Sequence, residues 1–262
     1  MRRFCSIEDL RSPVLATAIH AGHELRPAIE AHIALDDAVR LREEDPFTDS
    51  LSAVGGSSVV VHRSRFEVDL NRPRSSAVYR TPDEAWGLDL WGPVALADAE
   101  VERSLRLYDR FYARLGRSLD VLASRGPFVV LDVHSYNHRR DGVDAQAASI
   151  DDNPEVNVGT GSLDRDLWGH LVERFIDDLS DRQTLGRRLD VRENVRFRGG
   201  ELSRWVHRRY AGRGCALAIE FKKSFMDEWT GEVDLHHVEE LRAALASVVP
   251  ALIEELSCPA PT

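Results

Sequence analysis

Three short apolar runs constrain what this chain can fold into. Residues 13–19 read Pro-Val-Leu-Ala-Thr-Ala-Ile, residues 128–131 Phe-Val-Val-Leu and residues 215–219 Cys-Ala-Leu-Ala-Ile. Runs of this length, apolar throughout, read as fully buried strands. The outer two stop directly on His20 and Glu220. The middle one passes through Asp132 and Val133 to His134, then into Ser135, Tyr136, Asn137, His138, Arg139 and Arg140. Buried strands that release polar side chains only at their C-terminal ends build the active sites of open α/β sheets.

The segments between these runs supply helices. In residues 98–124 the apolar positions Val101, Leu105, Tyr108, Phe111, Leu115, Leu119 and Leu122 recur at three and four, the period of an amphipathic helix. Asp164 stands where it can cap a second helix carrying Leu167, Leu171, Phe175 and Leu179. Residues 36–44, 201–210 and 233–256 read as further helices, and Pro46 as the opening of a short one holding Thr48 and Asp49. Residues 57–62 and 66–70 read as a strand pair, 155–160 as a strand, and 189–197 as strand-like. Residues 74–93 read as a long surface loop, and 258–262, with two prolines, as a frayed end. Strands alternating with helices predict a three-layer α/β sandwich. With no repeat and no linker, one domain over 1–262 is the expectation.

Composition removes several function classes. The net charge of −10 argues against nucleic acid or an anionic membrane as partner. No run of 18 apolar residues is present. The start, Met1-Arg2-Arg3 and onward to Glu8-Asp9, turns acidic too early for a signal peptide. Cys5, Cys215 and Cys258 are widely spaced, which suits reduced thiols in a cytoplasmic protein.

Two histidines and a carboxylate form a hydrolytic zinc set with a fourth position left for water. His20 and His134 are the candidate imidazoles; Glu220 and the Glu44-Asp45 turn offer carboxylates, one to complete the set and a separate Glu to act as general base on the water. Blander readings stand beside these. His20 can be a strand-end residue bonded to backbone, and the acidic turn a solvated run. His134 has Asp132 and Ser135 as possible imidazole partners. His23 and His138 are alternative ligands or surface groups. His236-His237 reads as a solvated helix start, and His62, His170 and His207 as structural or exposed. Arg72 can fork onto a substrate carboxylate or pair with Asp69; Arg139 and Arg140 are further candidates. Gly159, Gly161, Gly199 and Gly200 can line a pocket. There is no P-loop or GxGxxG fingerprint, and no Gly-x-Ser-x-Gly elbow around Ser135.

Four blocks give the chain a family likeness. They are His20-Ala21-Gly22, Asp69-Leu70-Asn71-Arg72-Pro73, Asp132-Val133-His134-Ser135, and Glu220 followed by Met226-Asp227-Glu228. In this order they resemble the N-formylglutamate amidohydrolase family, which is similar in fold to zinc carboxypeptidases and aspartoacylase-like deacylases. The resemblance implies a phosphorylase/hydrolase-like α/β/α sandwich around a mixed central sheet and a metal-dependent hydrolase of linear amides. It implies one Zn²⁺ per chain on His20, His134 and Asp45, with Glu44 or His23 as alternatives to Asp45. It further implies Glu220 as base and proton shuttle, and Asn71 and Arg72 at the substrate carboxylate or scissile carbonyl. The chain departs from the family where it reads His-Ala-Gly for His-Ser-Gly and carries His23-Glu24 behind it. The expected partner is a small N-acyl amino acid such as N-formylglutamate, with homo-oligomerisation open. The alternatives are a carboxypeptidase-like peptidase or deacylase, and a non-catalytic ligand-binding member of the family.

Overall fold

A computed structural model of the chain describes residues 4–8 and 10–257. The expected frayed end at 258–262, Cys258 within it, and the basic start at 1–3 lie outside the described residues. In chain order the elements are β1 (Cys5–Glu8), β2 (Val14–Ala18), α1 (Pro27–Glu30), α2 (Asp37–Glu43), α3 (Thr48–Leu51), β3 (Ser57–Val61), α4 (Asp98–Ala123) and β4 (Phe128–Tyr136). They continue with β5 (Val156–Gly159), α5 (Arg165–Ser180), the small hairpin β6 (Gln183–Thr184) and β7 (Arg187–Arg188), β8 (Val191–Glu193), α6 (Glu201–Arg209), β9 (Gly214–Lys222) and α7 (Leu235–Ser257).

Seven strands make one mixed sheet in the order β1-β3-β2-β4-β9-β5-β8. Its centre, β3-β2-β4-β9, is parallel, and β1 and β5 pair antiparallel to β3 and β9. All nine residues of β4 are buried, because a central parallel strand is covered on both faces. Alternation sorts its side chains. Val129, Leu131 and Val133 join a core under α3, α5 and α7, while Phe128 and Val130 join one under α4 and α6. Each such aliphatic, removed from water, contributes about 1.5–3 kcal/mol. The sandwich expected from the sequence is the observed architecture, and no helix is long and apolar enough to cross a membrane among the described residues.

Three local expectations give way. Residues 66–70 form a turn-rich loop, because both edges of β3 are already taken, by β1 and β2. Residues 74–93 are more than a surface loop: Val78, Tyr79, Ala85, Leu90 and Trp91 pack with Ile29 and Phe66 in a separate apolar cluster. Pro46 does not open α3, whose N-cap is Phe47 in the left-handed region at φ 66°. That conformation is costly for a bulky residue; here the ring packs edge-on to Phe225, with centroids 6.3 Å apart.

Candidate metal centre

The three apolar runs lie side by side as β2, β4 and β9, all parallel, so their polar ends emerge on one edge of the sheet. His134 and Glu220 are register partners. β9 runs two residues beyond Glu220, to Lys222, so this carboxylate sits within the strand and not at its end as the sequence reading had it. Asp132, His134 and Glu220 share the parity of Phe128, Val130 and Ala216, which places them on the α4/α6 side. His20 follows β2 in a turn that presses on the chain at 62–63. A Cβ on Gly22 would stand 2.2 Å from the His62 carbonyl carbon, so the approach requires glycine.

The acidic turn after α2 closes over these ends. Asp45 N–H donates to the His20 carbonyl at 3.1 Å. Asp45 Oδ2 lies 2.8 Å from His134 Nδ1 and 3.4 Å from His20 Nδ1. His20, Asp45 and His134 are all buried, and each offers a ligand atom within 4.8 Å of the other two. A tetrahedral zinc ion with bonds of about 2.0–2.1 Å sets its ligand atoms roughly 3.4 Å apart, a spacing this trio can meet. Burial opposes ionisation of Asp45, but hydrogen bonds from His134 and His20 outweigh it and hold the carboxyl well below the usual carboxylate range.

The outward nitrogens of both imidazoles face further carboxylates. His20 Nε2 lies 2.8 Å from Asp69 Oδ1, and His134 Nε2 lies 3.2 Å from Asp132 Oδ2. Asp132 Oδ1 accepts from Thr17 Oγ1, whereas its Oδ2 is buried without a hydrogen-bond partner. An ion on Nδ1 would require the proton on Nε2, and that N–H would supply this orphaned oxygen with a donor. A carboxylate behind each metal-binding imidazole fixes its tautomer and raises its basicity. On this count the residues present fit a divalent ion.

The alternatives to Asp45 are engaged elsewhere. Glu44 accepts from Ser64 Oγ, and its other oxygen lies 2.5 Å from His23 Nδ1. Arg40 in turn reaches His23 Nε2 at 3.0 Å. His138 sits beside Glu228, which receives the backbone N–H groups of both His138 and Arg139 and so ties down the loop after β4.

The trio opens into a cavity of ≈ 250 Å³. Glu220 lines it, and burial pushes its carboxyl up to about 7. Arg72 lines it with its guanidinium 4.4 Å from the Tyr79 ring centre and 5.5 Å from that of Trp86. Arg140 reaches it beside Glu43, at 3.4 Å. Arg139 does not: it pairs with Asp227 at 2.8 Å and faces away. Asn71 is at the wall, but its Oδ1 accepts from Leu202 N–H at the start of α6 and its Nδ2 lies 3.3 Å from His134 Nε2. Gly199 and Gly200 line the cavity; Gly159 and Gly161 instead back onto the chain at 197–199. His237, expected to be solvated, is buried, while His236 is exposed.

Several groups at the site carry no signal in the sequence for the place they take. Asp69 heads the Asp-Leu-Asn-Arg-Pro block and stands close to Arg72 in sequence, but nothing there places it behind His20. It is fully buried and also receives Asn71 N–H, Arg65 at 2.8 Å and the Tyr79 hydroxyl. Arg65, Trp86, Phe197, Arg198 and Lys223 also line the cavity, and no motif singles them out. Ser135 Oγ and Asn137 Oδ1 are buried in the cavity wall without a hydrogen-bond partner. Such atoms are available to a polar ligand.

Comparison with known proteins agrees with this architecture. The model of the N-formylglutamate amidohydrolase family matches residues 12–226. The fold is similar to that of an N-formylglutamate amidohydrolase from Ralstonia eutropha JMP134, with a TM-score of 0.75 and 17% identity over 96% of this chain and 97% of that one. It is also similar to a gene product of Agrobacterium tumefaciens, with a TM-score of 0.65 and 17% identity over 97% of this chain and 95% of the other. A comparison with curated proteins finds no match.

Proposed function

The chain belongs to the N-formylglutamate amidohydrolase family, and we propose from that premise that it is a zinc-dependent amidohydrolase. Its substrate in this reading is the N-formyl or N-acyl derivative of an amino acid such as glutamate. The observation that carries the reading is the meeting of His20, Asp45 and His134 beside Glu220 in one cavity.

In this reading His20, Asp45 and His134 hold the ion, with Asp69 and Asp132 orienting the imidazoles. A bound divalent ion supplies Lewis acidity at neutral pH, worth several kcal/mol of charge stabilisation. Glu220, with its carboxyl near 7, is poised to take a proton from the attacking water and return it to the leaving amine nitrogen. The Arg72 guanidinium, held over the Tyr79 ring, presents a fork to the substrate carboxylate. Local arginines of this kind must attract an anionic substrate, since the net charge of −10 does not.

Metal analysis of the purified protein with a formate-release assay on N-formylglutamate and other N-acyl amino acids tests the reading. About one Zn²⁺ per chain and turnover lost on chelation are expected. Metal-free protein that remains inactive with added Zn²⁺ would sink it.

A further inference from the structure

Lys222 and Lys223 are adjacent in sequence and unlike in setting. Lys222 is partly exposed, and its Nζ reaches the Asn153 carbonyl at 3.1 Å. Lys223 is 1% exposed, at the cavity wall. Its backbone N–H donates to the Tyr136 carbonyl at 3.0 Å, which fixes it beside the end of β4. Its ammonium donates to the carbonyls of Arg42 at 2.6 Å and Glu44 at 2.7 Å. These carbonyls stand at the C-terminal end of α2, where the last helical C=O groups lack intrahelical partners and the helix dipole is negative. Burial pulls the Lys223 pKa down to about 8, and the Asp45 carboxylate is the foremost charge resisting that fall.

Resting on the metal reading above, we infer that Lys223 is a positioning residue that holds Asp45 toward the two imidazoles by capping the carbonyls of Arg42 and Glu44. Several contacts pin the turn, among them Arg65 Nη1 on the Glu43 carbonyl at 3.3 Å and Ser64 on the Glu44 carboxylate. The Asp45 N–H is fixed by the His20 carbonyl, the Asp45 carbonyl by Thr48 Oγ1 at 2.6 Å, and the residues just before it by Lys223. Of these contacts, the one from Lys223 comes from the residue that directly follows β9, the strand that carries Glu220. A single ammonium therefore sets the carboxylate ligand and the candidate base in one frame.

Lys223→Met keeps the length of the side chain and removes donor and charge; Lys223→Gln keeps a donor without the charge. Each is stripped of metal, checked by far-UV circular dichroism and titrated with Zn²⁺ against a chromophoric chelator. Asp45→Ala and the Asp45→Ala/Lys223→Met pair are measured alongside. Lys223→Met is expected to weaken Zn²⁺ binding about 10–100-fold, as loss of an outer partner does, with Lys223→Gln between it and wild type. In the Asp45→Ala background the same change is expected to matter by no more than about twofold, because its route to the ion is gone. If Lys223→Met does not fold, Lys223→Gln decides, by a loss of about threefold or more or by none. Wild-type affinity in the folded variants, or a full loss that persists without Asp45, overturns the inference. Wild-type protein that binds no Zn²⁺ overturns the metal reading and this inference together, an outcome distinct from tight binding by wild type and variants alike.

Discussion

Asp132 Oδ2 lies 3.2 Å from His134 Nε2, and no hydrogen bond reaches that buried oxygen from elsewhere. The neighbouring Oδ1 is already engaged by Thr17. Asp132→Asn preserves the shape but turns an amide N–H₂ toward the imidazole while Thr17 claims the carbonyl. The tautomer needed for metal binding through Nδ1 then meets a donor in place of an acceptor. Zn²⁺ affinity is expected to fall about 10–100-fold with the fold intact, measured by chelator competition. An unchanged affinity would show that Asp132 does not set the tautomer.

Asp69 stands behind His20 as Asp132 stands behind His134, but it has more to hold. Arg65, Tyr79 and the Asn71 N–H converge on the same fully buried carboxylate. Burial opposes its ionisation, and the charges and hydrogen bonds of Arg65 and His20 hold it well below the usual carboxylate range. Asp69→Asn leaves the largely enclosed Arg65 without its counter-charge, a change that typically costs about 3 kcal/mol or more. Urea unfolding is expected to show that loss for Asp69→Asn and much less for Asp132→Asn. Equal losses in the two variants would contradict the division of labour.

The sheet centre was readable because parallel strands covered on both faces must be apolar along their length, so a break into His or Glu stands out. What spacing alone could not show was which groups meet. Asp69 and His20 are 49 positions apart, and although Asp69 heads the Asp-Leu-Asn-Arg-Pro block, nothing in that block says which side chain it meets. Lys223 carries no more signal than Lys222; only tertiary burial separates them. Phe66, Val68 and Leu70 alternate as a strand would, yet they are buried from a loop, Phe66 in the cluster with Tyr79 and Trp91 and the other two in the core under α4 and α6, since both edges of β3 are occupied. Period reports which faces are buried, not which edges remain free.

Arg72 offers a test of substrate anchoring separate from the metal. Its guanidinium is stacked on Tyr79 and near Trp86, and its closest carboxylate contact is Asp69 Oδ2 at 3.8 Å. Lysine keeps the charge but loses both the fork and the stacking. Arg72→Lys is expected to raise KM for an N-acyl amino acid about tenfold or more, with a smaller change in kcat. The matching substrate with its carboxylate converted to an amide should be far less affected. A similar penalty on both substrates would remove the carboxylate from the Arg72 assignment.

Glu220, the proposed base, ties stability to pH with a definite sign. Burial lifts its carboxyl from an ordinary 4.5 to about 7. Between those values the folded protein retains a proton that the unfolded chain gives up. The associated stability is complete below about 4.5 and is lost as pH rises through about 7. Glu220→Gln has no such proton to lose. In metal-free protein the variant should therefore gain on wild type as pH rises from about 4.5, levelling above about 7. The gain is at most about 3 kcal/mol, and less because the carboxylate faces an open cavity. Chelation is essential to this comparison, since a bound cation favours the charged carboxylate and shrinks the difference. In the metal-loaded enzyme the same variant should lose about 10²–10⁴-fold in turnover. Urea unfolding of both proteins at pH 5 and pH 8 decides the first point. A stability gap independent of pH would mean that Glu220 is not held protonated by its surroundings, and the case for it as a base poised near neutrality would fall with it.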